Sequence, residues 1–250
     1  MDDVELVQEL LEEIPTHAGA DAVMPAFLIP YYNGVQPEDC GISAFVFLKG
    51  GHFTLHTFSY REAYFADLLY PAPFNDHEVQ NRLEAALPCE IVNAHTYATE
   101  SGRPEDKAID VDNDFGPHIV IEAEGYEGPT TLDTIFDVIQ ALPFAIGMTP
   151  IMRPYLLKNR TPDGVRCLSA MVMIAESHIS LHVFPEERRA YFDIFSCSFF
   201  DETAVLPKIL AFLPGRRRTI WRTSRGKGYS RLMTTASMEN SLKTGWISHD

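Results

Sequence analysis

Between Ala175 and Phe199 the chain reads AESHISLHVFPEERRAYFDIFSCSF, and two runs of strict alternation stand out. Ile179, Leu181 and Val183 alternate with Ser180 and His182; Tyr191, Asp193 and Phe195 alternate with Phe192, Ile194 and Ser196. Apolar residues at every second position predict half-buried strands over 178–184 and 190–197. Similar reasoning predicts strands over 118–125 (HIVIEAEG), near 148–157 and over 167–175. Apolar residues at helical spacing predict helices over VELVQELLEEI near the start, over about 131–143 (within LDTIFDVIQAL and beyond), and near 201–213.

The pattern occurs twice. GISAFVFLKGGHFTLHTFSYREAYFADLLY (41–70) runs parallel to CLSAMVMIAESHISLHVFPEERRAYFDIFSC (167–197). Ser43 answers Ser169, His52 answers His178 and His56 answers His182. After a one-residue gap, Ala63, Tyr64, Phe65 and Asp67 answer Ala190, Tyr191, Phe192 and Asp193. A helix precedes each copy, so we read two copies of one unit. The expected class is α+β: two related units, each an antiparallel sheet covered by helices, related by a pseudo-two-fold as an α-β-β-α sandwich. The expected organisation is a degenerate repeat over 1–97, a polar linker over 98–117 and a second repeat over 118–250. The copies diverge where the polar residues lie. Glu176-Ser177 is Gly50-Gly51 in the first copy, and Cys197 is answered by Tyr70. A sheet that needed only its hydrophobic pattern would let such positions drift, so their presence in the second copy points to chemistry there.

Charge excludes some functions. Residues 1–114 hold 5 Lys+Arg against 21 Asp+Glu, a net of −16, within a chain whose total is −15. Nucleic acid is therefore not an expected partner. The one basic cluster, GRRRTIWRTSRGKGYSR (215–231), is read as a face paired with acidic surface rather than as a phosphate site. No apolar run approaches membrane-spanning length and the N-terminus is an acidic amphipathic helix, so no membrane is expected and a cytoplasmic location is the default. Cys40, Cys89, Cys167 and Cys197 show no zinc-type spacing, and no metal is expected. Cys40, Cys89 and Cys167 read as small core residues, and His52, His56 and His178 as hydrogen-bonded structural ones.

At this point the residues resemble a family, the pyruvoyl-dependent S-adenosylmethionine decarboxylases in their bacterial form. The resemblance lies in SAMVMIAESHISLHVFPEERRAYFDIFSC and in HIVIEAEG, and it covers roughly 115–213. It implies a proenzyme that cuts itself between Glu176 and Ser177, leaving a pyruvoyl group derived from Ser177 as its cofactor. In such a reaction Ser177 Oγ attacks the Glu176 carbonyl, and β-elimination from the resulting ester frees the upstream fragment. The carbonyl made from Ser177 then forms a Schiff base with a small-molecule substrate and acts as electron sink. By the same resemblance Ser169 assists processing, His182 is the processing base and Cys197 is the proton donor to the decarboxylated carbon. Ser177 and His182 lie an odd number of residues apart, so a turn near 176–178 is expected if both serve one site. Glu122, Glu124 and Glu127 could bind substrate ammonium groups, although an exposed strand face explains them equally well. Glu186 matches the family's Pro-Glu element without an evident role.

Departures bear on the substrate. The family's Thr-Cys-Gly is Ser196-Cys197-Ser198 here, and its aromatic adenine-binding loop is replaced by YLLKNRTPDGVRC. The leading expectation is an S-adenosylmethionine decarboxylase of polyamine (spermidine) synthesis. The alternatives are a pyruvoyl-dependent decarboxylase of arginine or ornithine, or a non-catalytic regulatory homologue. A homodimer of the duplicated chain is compatible with either enzyme.

Overall fold

The computed structural model describes residues 1–32, 40–97, 110–175 and 177–229. Glu176, most of the expected linker (98–109) and the chain beyond 229 lie outside the described residues. The first unit runs α1 (Val4–Ala18), β1 (Phe27–Tyr32), β2 (Gly41–Leu48), β3 (Gly51–Phe58), β4 (Ala63–Leu69) and α2 (Asp76–Ala86). The second opens with β5 (Gly116–Glu124). It then repeats the order with α3 (Leu132–Ile146), β6 (Tyr155–Arg160), β7 (Arg166–Ile174), β8 (Ser177–Phe184), β9 (Arg189–Ser196) and α4 (Glu202–Phe212), and closes with β10 (Arg217–Arg225). The strand expected near 148–157 begins only at Tyr155; Pro150 makes one isolated bridge, and Pro150 and Pro154 both lack the N–H that a ladder needs.

All pairing is antiparallel, in one sheet of order β1-β2-β3-β4 and another of order β10-β5-β9-β8-β7-β6. The helices begin and end where local chemistry dictates. Asp3 caps α1 by accepting from Leu6 N–H, and Thr131 with Thr134 forms a capping box on α3. Gly19 and Gly147 end these helices in the left-handed conformation. Leu11 and Ile14 of α1 pack on Val46, Phe53 and Leu55, and Ile135, Ile139 and Leu142 of α3 pack on Ala170, Val172, Ile179 and Ile194.

The opposite faces of the two sheets meet each other. Phe45 and Phe47 of β2 pack with Met171 and Met173 of β7, and Phe58 and Phe65 pack with Phe115, Phe195 and Cys197. This produces four layers, helices–sheet–sheet–helices. Strands β3 and β8 are buried at every position. The half-buried strand read from the alternation is thus corrected: the polar residues of β8 face another sheet, not water. The pairing registers also refine the repeat. Thr54 pairs with Asp67 and Ser180 with Asp193, so the two aspartates are equivalent at an offset of 126 (180 − 54 and 193 − 67), and Phe65 corresponds to Tyr191 rather than Phe192.

The elements missed in the sequence are helix α2 and the sheet-extending strand β10, which pairs with β5. The basic segment is this strand. Arg225 pairs with Asp67 of the first unit, Arg222 with Glu202 at 2.7 Å and Arg217 with Glu124 at 3.7 Å.

The tips of β2–β3 and β7–β8 are equivalent two-residue hairpins, closed by Leu48↔Gly51 and Ile174↔Ser177. Their backbones differ. A Cβ at Gly51 would lie 1.8 Å from the Leu69 carbonyl oxygen, whereas Ser177 carries its side chain with φ +148°. The first hairpin therefore has no room for a serine. Gly51→Ser is expected to destabilise the chain by more than about 2 kcal/mol in urea titration, and to leave the 48–52 peptide intact by mass.

Candidate active site

Ser177 opens β8 next to the hairpin tip. It is a non-glycine residue in a backbone conformation that L side chains rarely adopt, a strain of about 1–3 kcal/mol held by the ladders on both sides. It is 2% exposed, and its Oγ has no hydrogen-bond partner among the described residues. A buried hydroxyl is normally satisfied, so this orphaned one, on a residue of unusual φ, stands out. The described turn begins at Ala175, just before the stretch where a turn was expected.

Ser196 pairs directly with Ser177, which brings Cys197 to within a residue of it. Cys197 is buried in the Phe58, Phe65, Phe115 and Phe195 cluster. Gly116 permits this packing: a Cβ there would lie 1.9 Å from the Ser196 carbonyl oxygen and 3.2 Å from Cys197 Cα. The structure therefore brings Ser177 and Cys197 together. Of the other cysteines, Cys40 and Cys167 are buried as expected, and burial pushes the Cys167 thiol up to about 12. Cys89 is exposed, contrary to its reading as a core residue; it meets Tyr64 Oη at 3.8 Å.

Ser169 and His182 are also brought together, with Oγ to Nδ1 at 2.8 Å, but at another place. They share one rung of the β7–β8 ladder, five residues along β8 from Ser177. At about 3.3 Å per residue that separation is about 16 Å. His182 Nε2 reaches across to His52 Nδ1 at 2.8 Å, and Ser169 Oγ also accepts from Asn159 Nδ2 at 2.9 Å. The equivalent pair from the first unit meets the residue that follows Ser177. Ser43 Oγ is 3.1 Å from His56 Nδ1, and His56 Nε2 is 2.8 Å from Nδ1 of His178, the residue after Ser177. The two relays, Ser169–His182–His52 and Ser43–His56–His178, are one arrangement repeated by the pseudo-two-fold. Sequence reasoning assigned the pair to its own copy. Both units share the thirteen-residue Ser–His spacing, which marks the pairs but not which unit each one serves.

The glutamates lie elsewhere. Glu122 pairs with Tyr191, on the rung of His182, and accepts from Tyr191 Oη at 2.8 Å. Glu124 meets Arg217 at 3.7 Å and Glu127 meets Arg188 at 2.7 Å. The structure does not bring these three to Ser177; each is held by Tyr191, Arg217 or Arg188 instead. Glu186 pairs with Arg166 at 3.0 Å on the surface.

Electrostatics centre on Asp193, which is buried on β9. His178 Nε2 and His118 Nε2 each lie 3.2 Å from its Oδ2, and Ser180 Oγ donates to Oδ1. Burial opposes its charge, but the surrounding imidazoles, His52 and His178 first, hold the carboxyl well below the usual range. Asp67 is held at about 2: burial opposes its charge, and Arg225 and His118 overcome it. Burial lowers His52 to about 4 against the attraction of Asp193, and lowers His182 to about 3 with help from His52. Burial and His178 put His56 well below its ordinary value.

Residues 117–226 match the family model described as S-adenosylmethionine decarboxylase. The second unit is thus similar to the S-adenosylmethionine decarboxylases. The S-adenosylmethionine decarboxylase proenzyme of Anoxybacillus flavithermus is 28% identical over 114 residues, 46% of this chain and 90% of that protein. This chain is therefore about twice the length of that relative. The proenzyme of Thermococcus onnurineus is 36% identical over 85 residues, 33% of this chain and 57% of its own. The crystal structure of the adenosylmethionine decarboxylase from Aquifex aeolicus is similar at a TM-score of 0.39 and 22% identity, covering 46% of this chain and 92% of that one. No helix among the described residues is long and apolar enough to cross a membrane.

The buried histidines make stability pH-dependent with a definite sign. Between about pH 4 and their ordinary value of 6.5, His52 and His182 stay neutral in the fold while the unfolded chain takes up protons. Their stabilising share is complete above 6.5 and is lost as pH falls, whereas that of Asp67 persists until pH drops below 3.8. The urea midpoint should be level from pH 8 to 7 and fall progressively from 6.5 to 4. A midpoint unchanged down to 4.5 would contradict this.

Proposed function

We propose that the chain is a self-processing, pyruvoyl-dependent S-adenosylmethionine decarboxylase of spermidine synthesis, cut between Glu176 and Ser177. The observation that carries this reading is Ser177 itself: a buried serine with an orphaned Oγ and positive φ, at a hairpin tip, in the unit that matches the family. These features fit a residue destined to become the pyruvoyl group, because its hydroxyl is withheld from other partners and the backbone is already distorted. When present, that group would supply an electron sink for the pair left on the substrate's α-carbon as its carboxylate departs as CO2.

The chain's own residues divide the remaining work. Ser177 Oγ attacks the preceding carbonyl, and the amide becomes an ester. His56, kept neutral by burial, lies in direct hydrogen-bond contact with His178 and is the base for the elimination that follows; Ser43 orients it through Nδ1. We assign processing to this first-unit pair in place of Ser169 and His182, which lie about 16 Å along the strand. Cys197 follows the end of the neighbouring strand β9 and sits among phenylalanines, which exclude water from the carbon it protonates.

Decarboxylation of carboxyl-labelled S-adenosylmethionine, arginine and ornithine tests the substrate. Label release from the first alone is expected, and release from a basic amino acid alone would replace the substrate. No release from any of them by a cut chain would refute the enzyme. His56→Ala should slow self-cleavage by at least about 100-fold, whereas His182→Ala should still cut. The reverse order would return the base to the second unit.

A further inference from the structure

The pseudo-two-fold passes beside His52 and His178, whose rings lie 5.9 Å apart between centroids. There His52 Nε2 is 3.7 Å from Asp193 Oδ2, and His178 Nε2 is 3.2 Å from the same oxygen. The three atoms all lie within 4.8 Å of one another, and all three residues are buried. His52 Nε2 has no hydrogen-bond partner among the described residues. A fully buried ring nitrogen thus faces a carboxylate oxygen with nothing joining them. Such an orphan calls for a cation.

We propose that His52 Nε2, His178 Nε2 and Asp193 Oδ2 bind one divalent transition-metal ion, Zn2+ by ligand type, which links the two units. Two imidazoles and one carboxylate form a familiar three-ligand set for zinc, with a fourth position left for water. Ligands at about 2.0–2.1 Å from a tetrahedral ion are separated by about 3.4 Å, close to the 3.2 and 3.7 Å found here.

The outer contacts support the same ion. His52 Nδ1–H donates to His182 Nε2, and His182 Nδ1–H to Ser169 Oγ, which leaves the His52 Nε2 lone pair aimed at Asp193. Moving the relay protons toward Ser43 lets His178 Nδ1–H donate to His56 Nε2, and His56 Nδ1–H to Ser43 Oγ. His178 Nε2 is then also a lone pair, every imidazole stays neutral and no proton leaves the chain. His118 Nε2–H, its tautomer set by the Arg225 guanidinium at 3.1 Å from Nδ1, and Ser180 Oγ hold the carboxylate from outside. The ligands come from β3, β8 and β9, so no local spacing in the sequence could reveal them. The proposal does not depend on the decarboxylase reading.

The test uses full-length, untagged protein. Elemental analysis after dialysis is expected to find about one zinc per chain. Chelator-stripped protein titrated with Co2+ should show the intense visible bands of a four-coordinate nitrogen–oxygen site. His52→Ala should weaken Co2+ binding by more than the 10–100-fold typical of losing an outer contact. Stripped wild type that binds no Co2+, or shows only the weak bands of the hydrated ion, would overturn the proposal, and this arm requires no variant to fold. Equal affinity in a folded His52→Ala would overturn it as well. Because neither readout measures decarboxylation or self-cleavage, its failure is distinguishable from failure of the enzyme reading.

Discussion

Two imidazole pairs, His52–His182 and His56–His178, cross the gap between the sheets, and the site depends on them. Each histidine has lost its hydration, and burial drives His52, His56 and His182 neutral. A neutral imidazole keeps one donor and one acceptor, and here a serine hydroxyl, a second imidazole or a carboxylate meets nearly all of them. The pairs constrain how the units meet, because a slip of one residue in β3 or β8 would turn every ring toward the helices. The sheets can then be buried on both faces, and phenylalanine and methionine fill the space on either side of the polar centre.

Duplication supplies that interface, and divergence makes it work on one side only. The two relays are equivalent, but only the Ser43–His56 relay ends beside a serine at a hairpin tip. At the other tip Gly51 packs against the Leu69 carbonyl, so the vacancy has been closed by backbone. The first unit has given up its serine and kept the pair that serves its neighbour's. Strands β5 and β10 complete the asymmetry. They belong to the second unit, and they bring His118 and Arg225 between Asp67 and Asp193, so one aspartate is neutralised by arginine and the other by imidazoles.

Much of this could be read from the chain. The repeat, the alternation and the divergence at 176–177 identified the units, most of the strands and the serine, because each is a local property of the sequence. What could not be read depends on which faces meet. Ser169 and His182 carry the spacing that accompanies the chemistry, yet spacing within one unit cannot show that a pair acts across the pseudo-two-fold. The basic segment offered no alternation clean enough to announce β10, since Arg217, Arg218 and Arg222 sit at an edge and lean toward solvent or glutamate. Asp193 read as one polar position in a strand, and its three imidazole neighbours come from three other strands.

The central claim is that the bond before Ser177 is cut and that the cut leaves a carbonyl behind. Intact-mass measurement of the purified chain tests it directly. Two fragments are predicted, 1–176 and 177–250, the second of 74 residues (250 − 176) and lighter than its sequence by the difference between an N-terminal serine and a pyruvoyl group. A single species at 28.1 kDa that hydroxylamine leaves uncut would contradict the account.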